Sequence, residues 1–367
     1  MNIERTSVGL DVHARTVVGC AIDNQTGEVH RRRMTPDPVE ILTWTSSLPG
    51  PVRVVYEAGP TGFGLARAFL ARGIECVIAA PSKLQRPSGD RVKTDAKDAL
   101  HLAKLLRLGE IVAVTIPSET QEAARDLVRA REDARGDLMR SRNRLSKLLL
   151  RQGIVYNDGR QWTVTHEAWL HRQRFALPGR QGAYDAALDA VILTRDRRDR
   201  LDVEIAAMAA HSQYTDVVNR LCCLRGISTL TGFALAVEIG DWHRLSGASI
   251  ASYVGLVPTE SSSGTSRRLG SISKTGNGHV RRLLVEAAWH HRKIYTSPGA
   301  VMRARWDKAP AAARVRGHEG NHRLHHRWVV FTERRKKPVV ANVAIARELA
   351  GWCWSLAVLE EDAVMAC

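Results

Sequence analysis

Between Ser7 and Leu108 the chain is cut into short apolar runs ended by turn signals, a division that suits a layered sheet with helices beside it. Val8-Gly-Leu-Asp-Val12 and Thr16-Val-Val-Gly-Cys-Ala-Ile22 read as adjacent strands joined by a short turn. Asp23-Asn-Gln-Thr-Gly27 is a second turn, and Glu28-Val-His30 opens a third strand. Pro38 to about Ser47 reads as a helix, and Val52-Arg-Val-Val-Tyr56 as a strand that delivers Glu57 at its carboxyl end. Ala58-Gly-Pro-Thr-Gly62 turns into a helix from Phe63 to Arg72, Glu75 to Ala79 is a further strand, and Pro81 to Asp90 is a polar loop. A helix from about Thr94 to Leu108 completes the series. The order strand, strand, strand, helix, strand, helix, strand, helix predicts a mixed sheet with covering helices.

Four acids stand out against that frame. Asp11 interrupts a β-rich apolar run, which is disfavoured unless its face looks onto a cleft. Glu57 lies at the carboxyl end of a strand, where sites collect in α/β sheets. Asp95 and Asp98, in Arg91-Val-Lys-Thr-Asp-Ala-Lys-Asp98, are three apart at a helix start and share one face. Paired carboxylates repel, and hard oxygen ligands suit Mg²⁺ or Mn²⁺. The plain alternative is a solvated helix start favoured by the helix dipole.

Lys and Arg outnumber Asp and Glu by 54 to 38 and the pI is near 10.1, so the expected partner is a polyanion, nucleic acid first. No apolar run approaches the roughly 18 residues that span a bilayer. Cys20, Cys76, Cys222, Cys223, Cys353 and Cys367 show no metal-finger spacing, and Met1-Asn-Ile-Glu-Arg does not begin a signal peptide, so a reduced, cytoplasmic protein is expected. His318-Glu-Gly-Asn-His322 matches the zinc-protease pattern in letters, but Gly320 and Asn321 are expected to weaken the helix that would present both imidazoles.

Glu119 to Gln152 is long, charged and helical, with a seam at Leu127, Arg131, Ala134, Leu138, Ser141, Leu145 and Leu148. A second seam runs through Ala187, Val191, Thr194, Arg198, Leu201, Ile205 and Met208. Together they predict an antiparallel coiled-coil arm. Leu221 to Gly240 is similar to a helix-hairpin-helix element, with Ser228 in place of its second glycine. Tyr253 to Leu284 is rich in Ser, Gly and Arg, which leave amides open and supply guanidinium forks, and a helix beginning near Asn277 would offer its positive end to a phosphate; the plain alternative is a flexible polar loop. Arg314 to Lys337 interleaves cations, among them Arg323, Arg327, Arg334 and Arg335, with His318, His322, His325, His326 and Trp328, a pattern for backbone neutralisation with base stacking. Val339 to Leu359 closes the chain as an apolar helix.

The acids in this order, with Tyr56-Glu-Ala-Gly-Pro-Thr-Gly62, Lys93-Thr-Asp-Ala-Lys-Asp-Ala99, Gly255-Leu-Val-Pro258, Ser263-Gly264 and Ile272-Ser-Lys-Thr-Gly-Asn277, make the chain resemble DEDD transposases of the insertion sequence 110 family, relatives of Piv-type DNA invertases. The resemblance implies an α/β RNase H/RuvC-like catalytic domain over residues 1–112, a coiled-coil arm and connecting loop over 113–215, and a mainly helical transposase domain over 216–367. It implies a recombinase acting on donor and target DNA with a structured guide RNA, in the nucleoid, as a dimer or tetramer. Asp11, Glu57, Asp95 and Asp98 would hold Mg²⁺, with Mn²⁺ an alternative. Ser263 would be the nucleophile, with Ser261 and Ser262 the alternatives. Arg267, Arg268, Lys274 and Arg281 are candidates to grip the phosphate by charge and proximity, and Lys93 and Lys97 flank the acids. Because acids and serine fall in different domains, the working site is expected to assemble by docking. Three other readings stay open: a RuvC-like junction nuclease using metal-activated water, an actin-like ATPase, and a non-catalytic binding module. The ATPase wants a glycine-rich loop where Val12-His13-Ala14-Arg15 stands.

Overall fold

The computed structural model describes residues 4–84, 94–263 and 266–359, without the side chain of Arg267. Lys93, Gly264, Cys367 and the stretch Arg91-Val-Lys93 lie outside the described residues. By packing, the chain divides into two compact units, Met1–Ser118 and Glu119–Cys367.

The first unit is built on a six-stranded mixed sheet. Strands β1 (Thr6–Val12), β2 (Val17–Asp23) and β3 (Val29–Met34) are followed by helix α1 (Pro38–Ser46), strand β4 (Val52–Glu57), helix α2 (Gly64–Ala71), strand β5 (Glu75–Ala79), helix α3 (Asp95–Arg107) and the short strand β6 (Ala113–Val114). Their order across the sheet is β3-β2-β1-β4-β5-β6; β4 runs parallel to β1 and to β5, and the other pairs are antiparallel. The element order matches the sequence expectation, with β6 added. Strand alternation divides the core. Val8, Leu10, Val54 and Tyr56 pack with Ile41, Trp44 and Phe69 from α1 and α2, whereas Val55 and Ala79 pack with Leu102 and Leu106 of α3.

Among the described residues the second unit is helical apart from one hairpin. Helix α4 (Glu119–Leu150), helix α5 (Val164–His171) and helix α6 (Pro178–Ala210) come first. α4 and α6 run antiparallel: Ala124 and Val128 pack near Ile205 and Ala209, Arg131 pairs with Asp202 at 2.6 Å, and Leu138, Leu145 and Leu149 meet Tyr184, Leu188 and Val191. The buried stripe on α4 passes through Ala124, Val128, Ala134, Leu138, Ser141, Leu145 and Leu149. The expected seam coincides with this stripe at Ala134, Leu138, Ser141 and Leu145, and at its ends Leu127 and Leu148 pack against the same cores but are less deeply buried than Val128 and Leu149. A helix of 3.6 residues per turn drifts away from a strict heptad.

Next come α7 (Thr215–Leu221), α8 (Thr229–Ile239), α9 (Ile250–Tyr253), β7 (Pro258–Ser263), β8 (Ser266–Ile272), α10 (Gly278–Ala288), α11 (Ala300–Trp306), α12 (Ala311–Glu333) and α13 (Pro338–Ala357). Every residue of α8 from Gly232 to Ile239 is buried, which makes it the central helix of this unit. Gly226, at φ +80°, turns the chain between α7 and α8. A Cβ there would come within 2.4 Å of the Ala287 carbonyl oxygen, so the glycine serves close packing on α10. α13 packs against α10 and α12, as a closing apolar helix should.

Two expectations are corrected here. The Ser/Gly/Arg stretch is not a loop throughout: β7 and β8 pair antiparallel, with Ser261 opposite Arg268 and Ser263 opposite Ser266. α12 also runs unbroken through Gly320 and Asn321. A Cβ on Gly320 would come within 3.0 Å of Leu224 and Trp352, closer than ordinary contact, so the glycine lets both pack against the helix, and the buried Asn321 accepts from the Arg225 amide at 2.8 Å and donates to the Cys223 carbonyl at 2.9 Å. Tertiary contacts outweigh the poor helix propensity of both residues. Among the described residues no helix is long and apolar enough to cross a membrane.

Candidate active site

β1 carries Gly9 and Asp11 on the face that α3 covers. A Cβ on Gly9 would meet the Ala99 carbonyl oxygen at 2.1 Å and the Ala103 amide nitrogen at 2.5 Å, so the missing side chain lets α3 lie directly on the strand. That contact sets the height of the first turn of α3. Thr94 caps the helix by accepting from the Lys97 amide, and Asp95 and Asp98 occupy the first turn, where the positive end of the helix dipole favours carboxylates.

Asp11 is thus brought to Asp95. One ligand atom each from Asp11, His13 and Asp95 lie within 4.8 Å of one another, the one such group among the described residues. His13 Nε2 is 3.2 Å from Asp11 Oδ2 and 4.0 Å from Asp95 Oδ1. Burial pushes the Asp11 carboxyl above its ordinary range. His13 works against that shift, and Asp95 and Asp98 add to it. Asp98 is therefore felt at Asp11 without being one of the three closest groups.

Glu57 stands apart from that trio. It lies one step past the Leu10–Tyr56 pair of the parallel β1–β4 ladder and opposite Ala79 of β5, which packs under α3. Strand alternation puts it on the same face as Asp11, exposed at the strand end.

Arginines that charge counting over the whole chain did not single out also adjoin these acids. In the antiparallel registers Asp11 lies opposite Val18, and Val18 opposite Arg33, while Gly9 lies opposite Cys20, and Cys20 opposite Arg31. Arg31 and Arg33 consequently share the acid face on the edge strand β3. With Arg32, Val18, Thr94 and Asp95 they line an open cleft of about 560 Å³. The run Arg31-Arg-Arg33 was the available signal, and His13 was signalled by its two-residue offset from Asp11.

The serine candidates belong to the second unit. Ser261, Ser262 and Ser263 are all exposed on β7. Ser262 Oγ donates to Glu260 Oε1 at 2.8 Å, and alternation places Ser261 and Ser263 on the opposite face, with Arg268 and Ser266 across from them.

The other cation candidates divide. Arg268 and Lys274 are exposed, the latter at φ +55°. Arg281 Nη1 donates to the carbonyls of Val254 and Thr275 at 3.0 and 2.9 Å, which pins the loop before α10. Arg323 and Arg327 both pair with Glu348, at 3.0 and 3.2 Å, whereas Arg334 and Arg335 are exposed just past α12. Trp328 does not serve as a stacking surface. It is 3% exposed and donates to the Ala288 carbonyl, because the helix face it occupies is turned to the core.

Beneath α10 lies a buried carboxylate. Glu238 receives both ends of the Arg129 guanidinium at 3.0 Å and the Asn277 side chain at 2.8 Å, with His279 Nδ1 at 3.4 Å. Burial would raise its pKa, but the hydrogen bonds from His279, Arg129 and Asn277 outweigh that and hold it at about 2. Asn277 also caps α10, accepting from the amides of His279 and Val280, so one side chain ties the loop after β8 to α4 and α8.

A family profile for DEDD transposases, described as "Transposase", matches residues 8–153. Another, described as "Transposase IS116/IS110/IS902 family", matches residues 218–303. The four acids fall inside the first and the three serines inside the second. The chain is 40% identical over 304 residues to the putative transposase y4qE of Sinorhizobium fredii, covering 82% of this chain and 74% of that one. It is 31% identical over 345 residues to the transposase for insertion sequence element IS1533 of Leptospira borgpetersenii, covering 90% and 97%. A probable family 20 transposase of Pseudomonas aeruginosa is 27% identical over 364 residues, 97% of either chain.

Proposed function

Because the chain belongs to the IS110 family of transposases, we propose that it cuts and rejoins DNA at a divalent-metal centre formed by Asp11, Glu57, Asp95 and Asp98, with Ser263 as the nucleophile. The observation that carries this reading is the approach of Asp11 to Asp95, two carboxylates from separate elements gathered with a histidine within 4.8 Å. The donor set fits a hard divalent ion, and the burial of Asp11, with Asp95 and Asp98 adding to it, disfavours its charged form in a way that such an ion offsets. When bound, Mg²⁺ or Mn²⁺ supplies charge stabilisation to a phosphoryl group in transfer.

The residues do the rest. Ser263 Oγ loses its proton and bonds to phosphorus, the bond from phosphorus to a sugar oxygen breaks, and that oxygen leaves as a hydroxyl. The broken strand stays on the protein as a phosphoserine ester. Attack by a sugar hydroxyl of another strand reverses these steps and frees the serine, so one ester is exchanged for another without an outside energy source. Arg31, Arg33 and Arg268 hold backbone phosphates. Donor and target DNA are the substrates, a structured RNA is the proposed guide, and the net charge of +16 suits either polymer. Activity as a homo-oligomer is part of the same proposal.

Asp95→Asn tests the reading. Strand cleavage in Mg²⁺ should be lost while binding to the same DNA, followed by fluorescence anisotropy, is kept. Normal cutting by this variant would remove the metal assignment.

A further inference from the structure

β1 ends at Val12 and the chain turns back at once. The His13 amide donates to the Thr16 carbonyl at 2.9 Å, closing the β1–β2 hairpin and fixing the backbone from which the imidazole projects. Two residues past Asp11 in an extended chain, His13 falls on the same side of the sheet as Gly9 and Asp11, the side that α3 covers. Its side chain is 55% exposed and has room to turn into solvent, yet Nε2 lies beside both Asp11 Oδ2 and Asp95 Oδ1, at 3.2 and 4.0 Å.

Those spacings suit a shared ion. Ligands held about 2.1 Å from one cation stand at most about 4.2 Å apart. Both distances from Nε2 fall inside that limit, and all three donor atoms lie within 4.8 Å of one another, a small side-chain rotation from closing on one point. The donors are not all alike. Carboxylate oxygens suit Mg²⁺, which takes nitrogen ligands poorly, whereas an imidazole moves the preference of a site toward transition-series ions, of which Mn²⁺ also accepts carboxylates.

We propose that His13 is a nitrogen ligand of the metal centre, joining Asp11 and Asp95 on one divalent ion, and that it biases the centre from Mg²⁺ toward Mn²⁺. This rests on the reading of the acids as a metal centre. It adds to that reading a residue outside the acid quartet and a preference among ions.

The experiment uses the full chain titrated with Mn²⁺ and pulsed electron paramagnetic resonance, which detects ¹⁴N bonded to the ion. The wild type should show nitrogen modulation of a bound imidazole, and His13→Ala and His13→Gln should both lose it. The glutamine variant keeps a polar side chain beside Asp11 and so guards against loss of fold. Mn²⁺ affinity should fall at least about tenfold in both variants, and Mg²⁺ affinity by much less. Absence of nitrogen modulation in the wild type, its persistence in the variants, or an equal fall for the two ions overturns the proposal. Asp95→Asn separates the two readings. If that variant loses Mn²⁺ while the wild type shows no nitrogen, the acid centre stands and the His13 ligand falls. If it binds Mn²⁺ as the wild type does, the centre itself falls.

Discussion

Gly9 and Ala99 are in backbone contact: a Cβ added to Gly9 would lie 2.1 Å from the Ala99 carbonyl oxygen. The contact is what seats α3 against β1 and with it the carboxylates of its first turn. Gly9→Ala must push the helix off the strand, since a backbone atom cannot yield as a side chain would, at a cost of about 1–3 kcal/mol. Denaturant unfolding should show that loss, and Mg²⁺-dependent cleavage should fall further than the loss of folded protein accounts for. A variant that cuts at full rate would mean that the height of α3 does not matter to the acids.

The strand register makes a prediction about the serines. Ser262 is engaged with Glu260, while Ser261 and Ser263 share the other face with Arg268. Ser263→Ala should abolish the covalent protein–DNA adduct by several orders of magnitude, as removal of a nucleophile does, and Ser262→Ala should leave it close to wild type. Peptide mass mapping of the trapped adduct identifies the attached residue. An adduct on Ser261 would move the assignment to its neighbour on the same face. Cleavage by the chain with all three serines replaced would instead support attack by water.

Glu238 sets an acid limit on the second unit. Its carboxyl titrates at about 2 in the folded chain against an ordinary value of 4.5, so the unfolded state takes up protons first as pH falls. The stabilisation is complete above pH 4.5 and drains away as pH drops toward 2, on the order of 3 kcal/mol in all. Unfolding free energy measured across that window should decline steeply in the wild type and more shallowly in Glu238→Gln, which starts lower because Arg129 loses its buried partner. Parallel slopes for the two proteins would remove Glu238 as the cause.

Arg33 faces the acids from the edge strand. Arg33→Ala should weaken DNA binding by a similar factor for all sequences and lower the slope of log affinity against log salt by about 1, the signature of one lost phosphate contact. Binding isotherms over a range of salt concentrations measure both. An unchanged slope would place the DNA backbone elsewhere.

Much of the first unit was legible because its information is local. Turn residues and β-branched runs marked three strands before the first helix, and Thr94 followed by Asp95 and Asp98 announced a capped helix start. The loop reading of Pro258 to Ile272 missed the hairpin because polar strands carry no apolar alternation. Trp328 looked like a stacking surface because neighbouring cations do not reveal which face of α12 meets the core. The seam on α4 drifted from its heptad for a similar reason, since the partner helices determine which residues at either end are covered.

The order of elements, the four acids and the excess of positive charge were determined by the sequence alone, since each depends on residue type and on spacing along the chain. Tertiary structure decided which charges meet. It brought His13 together with Asp11 and Asp95, ranged Arg31 and Arg33 along the same face, and confined Glu238 beneath α10. Such pairings arise from strand register and from how closely a helix can approach a glycine, distances between residues far apart in the chain that no local pattern encodes.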